Sequence, residues 1–126
     1  MSVEGIETRA QALRTPAEVD AFLSEHGDCA LFKAGACHLT TSALQALARP
    51  LGKRPDLPIG LIRVVECRAA SERAAELTGV RHASPQILLL RRGHVVHARD
   101  NWDISADALR TALEEHFAQD QRAAPG

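Results

Sequence analysis

The sequence predicts one α/β domain in which a central mixed β-sheet is flanked by helices. Three observations carry that prediction. From residue 30 onwards, short apolar runs alternate with segments of helical periodicity. One run, Gln86-Ile87-Leu88-Leu89-Leu90, is continuous and reads as an inner strand covered on both faces. Arg91-Arg92-Gly93 then reads as a hairpin turn, which adds an antiparallel pair to strands that right-handed crossovers make parallel. At 126 residues the chain can bury a core without staples, so one domain over residues 1–118 is expected, with a frayed tail at 119–126.

The elements follow in order. Residues 1–14 carry little pattern beyond a short edge strand within Gln11–Arg14. Thr15-Pro16-Ala17-Glu18 supplies an N-cap, a proline at the first helical position and a capping-box glutamate. Val19, Phe22 and Leu23 share one face of the helix, which ends at Gly27. Ala30–Phe32 is an apolar run of strand length, and Ala34-Gly35-Ala36 lets the chain turn without bulky side chains. A helix follows with Leu39, Ala43, Leu44 and Leu47 at helical spacing, closed by Pro50 and Gly52. After a loop from Lys53 to Pro58, Ile59–Val65 reads as the second parallel strand. Ala69–Thr78 reads as a helix with Leu77 inward, and Gly79 suits the left-handed position after its last turn. Pro85 opens the central strand, where a proline is tolerated. His94–Ala98 is the second arm of the hairpin, and a loop from Asp100 to Ile104 holds the only tryptophan. Ser105 caps the last helix, with Leu109, Ala112, Leu113 and Phe117 as its buried stripe.

Charge and composition exclude several function classes. A net charge of −1 and a pI near 6.6 give no basic field, and three Phe with one Trp offer little for base stacking, so nucleic-acid binding is disfavoured. The N-terminus has neither a cationic nor an apolar leader region, and no apolar run approaches membrane length, which points to a cytoplasmic protein. Three cysteines without paired spacing do not make a disulfide framework.

Chemistry is expected at Cys37. The predicted strand-to-helix junction places it where unpaired N–H groups and the positive end of the helix dipole favour a thiolate, the form that attacks disulfides. The position three residues on, where a dithiol enzyme carries its second cysteine, is Thr40, so the motif has one thiol. A lone cysteine is also commonly an inert, buried hydrophobe, and the junction alone does not separate the two readings. Thr40 reads either as a hydroxyl that hydrogen-bonds the thiolate or as an ordinary first-turn polar residue. Lys33 reads as solvating the sheet edge.

Strand, helix, strand, helix, hairpin, helix is the thioredoxin-like order. In such a sheet the active edge is the C-terminal end of the parallel strands. Pro85 then stands where thioredoxin-like folds hold a cis peptide facing the cysteine, and Ser84 would offer its backbone to a substrate as an added strand.

The block Gly79-Val80-Arg81-His82-Ala83-Ser84-Pro85-Gln86-Ile87-Leu88-Leu89 resembles the monothiol bacilliredoxin family, the YtxJ-like bacillithiol-system proteins. Leu31-Phe32-Lys33 through Cys37 and Trp102-Asp103-Ile104 resemble it as well. Where family members place Thr, Pro and Ser around the cysteine, this chain has Ala36, His38 and Thr40. The resemblance implies that Cys37 is catalytic and removes bacillithiol, a low-molecular-weight thiol, from mixed disulfides on other proteins. It implies thiolated proteins and a small thiol as partners, with no bound metal or prosthetic group, and a monomer is expected. His82 is matched in the family and sits near Pro85, so it either lines the substrate edge or is a structural histidine. An imidazolium at His38, compared with proline there, favours the thiolate.

Other candidates are weaker. His94 and His97, three apart on a strand, are expected on opposite faces and so do not chelate together. Trp102 reads as a core plug and Cys29 as inert; Cys67, just past the second parallel strand, emerges on the same edge as Cys37, but no bond between them is expected, because Cys37 lies in the helix turn several residues past its own strand and the resemblance implies no resolving role for Cys67. Two other function classes stay open: a reductase of a glutathione-linked or arsenate-linked disulfide, although the Cys-Gly-Phe-Ser signature is absent, and a non-catalytic module that kept the fold.

Overall fold

The computed structural model describes the backbone of residues 4–123 and the side chains of residues 6–117. The chain runs α1 (Glu4–Arg9), β1 (Gln11–Ala12), α2 (Pro16–Glu25), β2 (Cys29–Ala34), α3 (His38–Gly52), β3 (Ile59–Arg63), α4 (Arg68–Thr78), β4 (Gln86–Arg91), β5 (His94–Asp100) and α5 (Ala106–Ala123). A 3-10 turn at Asn101–Asp103 joins β5 to α5. The frayed tail expected from residue 119 falls on positions whose side chains lie outside the described residues.

The sheet order is β1-β3-β2-β4-β5, with β1 and β2 parallel to β3, and β4 antiparallel to both β2 and β5. Strand β2 is central and every one of its residues is buried. Its alternation divides the core in two. Ala30, Phe32 and Ala34 face α3 and α5 together with Ile59, Leu61, Ile87 and Leu89, while Cys29 and Leu31 face α2 and α4 with Ile62, Leu88 and Leu90. The two layers of helix are what allow β2 and β4 to be apolar on both faces.

Local chemistry sets several boundaries. Glu18 N–H donates to Thr15 Oγ1 at 3.1 Å, capping α2, and Glu18 Oε1 accepts from Arg14 N–H at 2.6 Å, one residue before the usual capping-box donor. Gly79 takes φ 73° after α4. In the hairpin both Arg92 and Gly93 have positive φ, 54° and 82°, as a two-residue loop of this hand requires. Asp28, just before β2, clasps that turn by accepting from Arg92 N–H at 2.8 Å and Arg91 Nη1 at 3.1 Å.

Five expectations are corrected. The second parallel strand stops at Arg63, and Val65 is 68% exposed. Leu77 is exposed, because the buried stripe of α4 is Ala70, Ser71 and Ala74, small residues that let the helix approach the sheet. Trp102 is 81% exposed and plugs nothing. Lys33 is fully buried: as an alternate residue to Leu31 it lies on the α4 side of β2 instead of at a solvated edge. Finally, Leu89 pairs with His97 and Leu90 with Val95, so Val96 is an extra, bulged residue. The bulge places His94, opposite Arg91, on the same face as His97. Residues 4–9, which showed no pattern, form α1; Ile6 is buried, and Arg9 donates to the carbonyls of Leu51, Arg54 and Leu57, tying the 53–58 loop to the N-terminal segment.

Candidate functional site

Strand β2 delivers the chain to Gly35 and Ala36, and Cys37 follows as the N-cap of the fifteen-residue α3, with extended φ −86° and ψ 165°. Its side chain makes no capping hydrogen bond, and the residue is exposed. Thr40 N–H donates to Cys37 O at 3.1 Å, closing the first turn. The other first-turn N–H groups of α3 have no intrahelical acceptor, and the positive end of the helix dipole lies at the turn that Cys37 opens.

Thr40, the residue at the place of a second cysteine, has its Oγ1 accepting from Gly35 N–H at 2.9 Å. That bond clasps the cysteine loop to the first turn of α3, and the buried hydroxyl keeps its own proton as a donor. The segment before Pro85 lies close against Gly35. A Cβ there would stand 3.0 Å from Ser84 Oγ and 3.4 Å from Ser84 Cβ, so a side chain at this position would push the Ser84 side chain aside by a few tenths of an ångström. The Ser84-Pro85 peptide is cis, and Pro85 O accepts from Asn101 N–H at 3.0 Å. Cys37, Thr40, Ser84 and Pro85 thus converge at one end of the sheet. Asn101 brings the 3-10 turn with exposed Trp102 to the same edge, where the turn packs against α3.

The remaining predicted residues sit differently. His38 is the first residue of α3 and is exposed. His82 Nδ1 lies 2.9 Å from Ser71 Oγ and 3.5 Å from Lys33 Nζ, so its ring is tied to α4 and β2. Burial, then the charges of Lys33 and Arg68, lower its pKa, against a smaller opposing effect of Glu72. Lys33 Nζ donates to Ser71 O at 3.2 Å, and burial pushes the ammonium pKa down from 10.5 to about 8. An open cleft of about 460 Å³ lies beside this group, lined by Val64, Val65, Arg68, Ser71, Glu72 and His82. A cleft of similar size at the far, C-terminal end of α3 is lined by Arg49, Arg54 and Arg110 and holds none of the candidate residues.

The other thiols are placed for different fates. Cys29 is buried, and burial, followed by the Asp28 charge, pushes its thiol up to about 12. Cys67 is the half-buried N-cap of α4. All three cysteines are free. Among the described residues no group of three or more His, Cys, Asp and Glu side chains is placed to hold a metal ion, and no helix is long and apolar enough to cross a membrane.

Sequence reasoning missed Lys33 and misplaced Trp102. The signal for Lys33 was present: a lysine two residues after Leu31 in a strand covered on both faces has no route to solvent along the sheet.

Residues 11–109 match the family model described as monothiol bacilliredoxin BrxC. Among solved structures, the chain is similar to a protein with a thioredoxin fold at 26% identity and a TM-score of 0.75, covering 86% of this chain and 96% of that one. It is similar in fold to thioredoxin O2 from Arabidopsis thaliana, at 17% identity and a TM-score of 0.70 over 89% of this chain and 97% of that one. Fasciola hepatica thioredoxin gives 15% identity and a TM-score of 0.67 over 84% and 98%.

Proposed function

Because the chain belongs to the monothiol bacilliredoxin family, whose members are thiol–disulfide oxidoreductases of thioredoxin-like fold, we propose that it removes bacillithiol from protein mixed disulfides through Cys37 alone. The observation that carries this reading is the exposed Cys37 at the N-cap of α3, with Thr40 in place of a second thiol.

The exchange runs in two steps. The Cys37 thiolate attacks the small-thiol sulfur of the mixed disulfide, the Cys37–bacillithiol bond forms, and the protein thiolate leaves and takes a proton from water. A second bacillithiol, as thiolate, then attacks the bacillithiol sulfur of the adduct, releasing bacillithiol disulfide and regenerating the Cys37 thiolate. The net reaction consumes one small thiol per protein thiol freed and needs no resident metal or prosthetic group. The N–H groups at the start of α3 supply fixed dipoles toward negative charge on sulfur. Ser84, held against Gly35, provides the neighbouring backbone on which an extended substrate segment can lie.

Release of bacillithiol from a bacillithiolated protein, followed by mass spectrometry, tests this. Cys37→Ser is expected to abolish release while keeping the fold, and Cys29→Ser to retain it. Equal loss in both would overturn the assignment. Parallel mixed disulfides of glutathione and coenzyme A identify the small thiol, and faster turnover of either would replace bacillithiol in the reading.

A further inference from the structure

We propose that Lys33 and Ser71 together hold His82 as the neutral tautomer protonated on Nε2, so that His82 presents a fixed N–H donor to a carboxylate of the small thiol lying in the cleft whose wall adjoins the strand end that leads to Cys37. The inference rests on the small-thiol reading above and assigns where that thiol's acid group sits.

The tautomer follows from what surrounds the ring. An ammonium has donors only, and Lys33 Nζ stands 3.5 Å from His82 Nδ1. A proton on Nδ1 would point an N–H at a buried cation. Ser71 Oγ, 2.9 Å from the same nitrogen, completes the pattern by donating its proton to the Nδ1 lone pair. The ring proton is therefore on Nε2. Lys33 is itself anchored by its bond to Ser71 O, and neither Lys33 nor Ser71 reaches solvent, whereas His82 is exposed. Nδ1 faces inward and Nε2 faces the cleft.

The cleft favours an acid group. Its charged lining is Arg68 and Glu72, whose side chains approach to 3.6 Å, with the Lys33 ammonium directly behind His82. Two cations against one carboxylate leave a net positive field, and the Nε2 proton is a directed donor within it. The cleft is on the active edge: Val64 N–H donates to Ala34 O at 3.0 Å, so its wall adjoins the segment that leads to Cys37. The lowered pKa of His82 agrees with a neutral ring at pH 7. Lys33 is a positioning residue in this scheme, acting through His82.

Long-range proton–nitrogen correlation spectra of the reduced full-length protein at pH 7 read the tautomer directly. His82 is expected to show a protonated Nε2 and an unprotonated Nδ1, and Lys33→Met or Ser71→Ala to weaken that bias; a protonated Nδ1 in the wild type would overturn the proposal. Kinetics on one protein carrying either bacillithiol or cysteamine, which lacks a carboxylate, read the ligand. His82→Phe is expected to raise KM about tenfold for bacillithiol and to leave cysteamine unchanged, with kcat retained in both. His82→Gln, whose amide N–H stands near the Nε2 position, is expected to restore the lower KM. Equal effects on both thiols overturn the carboxylate assignment. Inactivity of the wild type toward every mixed disulfide overturns the exchange reading and the ligand with it, while the ring spectrum still reports the tautomer without turnover.

Discussion

Replacing the buried ammonium by Lys33→Met is expected to change the pH dependence of stability in a calculable way. Burial lowers the Lys33 pKa from 10.5 to about 8, a difference worth about 3 kcal/mol at about 1.4 kcal/mol per unit. Between those two values the unfolded chain binds the proton more tightly than the folded one, so stability rises with pH. The cost of the buried charge is fully present below pH 8 and gone above 10.5. Methionine is of similar length and carries no proton, so stability of the variant lacks this gain. Cys29 acts in the opposite sense, because its folded pKa of about 12 lies above the unfolded value of 9.0 and stability falls as pH rises beyond 9. That effect is common to both proteins and cancels in their difference. Urea titrations at intervals from pH 7 to 10.5 should show wild type gaining about 3 kcal/mol on the variant, a relative midpoint shift of roughly 1–3 M. Parallel curves would mean that Lys33 is hydrated or that its charge is compensated, and would refute the burial argument.

Three further outcomes are expected. Gly60→Ala should cost about 1–3 kcal/mol in urea unfolding, because its Cβ would stand 2.8 Å from Leu13 Cδ1 and 3.0 Å from both Leu31 Cδ1 and Phe22 Cε2, all in fully buried side chains; a neutral result would show a looser core. Trp102→Ala should leave stability within about 0.5 kcal/mol, as its 81% exposure requires, and a loss above 2 kcal/mol would restore a core role. Iodoacetamide at pH 8 should label exposed Cys37 in the native protein but reach buried Cys29 only in denaturant; native labelling of Cys29 would contradict its enclosure in β2.

What was legible in the sequence was set by local chemistry. Thr15 with Pro16 starts a helix, Gly79 ends one, and Arg92-Gly93 turns a hairpin, each through a constraint on its own backbone. The strand-to-helix junction at Cys37 is of the same kind, which is why the cysteine could be placed before any tertiary structure was known. The remainder depends on partners distant in sequence. Helix α1 has few local signals and is held by the buried Ile6 and by Arg9 reaching carbonyls more than 40 residues away. A strand covered on both faces gives no polar alternation, so Lys33 read as an edge residue although its place two residues after Leu31 puts it on the same covered face. The bulge at Val96 is a property of pairing between two strands, and it reversed the relation of His94 to His97 that simple alternation implied. Within the site, the Gly35–Thr40 clasp and the approach of Ser84 to Gly35 join segments that the sequence could assign to one edge but could not bring into contact.

The central claim, exchange through one thiol, is tested most directly by trapping the intermediate. A bacillithiolated protein is mixed with the fully reduced chain in the absence of free small thiol, and peptide masses are mapped. The expected result is one persistent bacillithiol adduct on Cys37, with one protein thiol freed for each adduct formed. A Cys37–Cys67 linked peptide in a chain two hydrogens lighter than the reduced form, with the adduct lost, would contradict the claim and make Cys67 a resolving thiol.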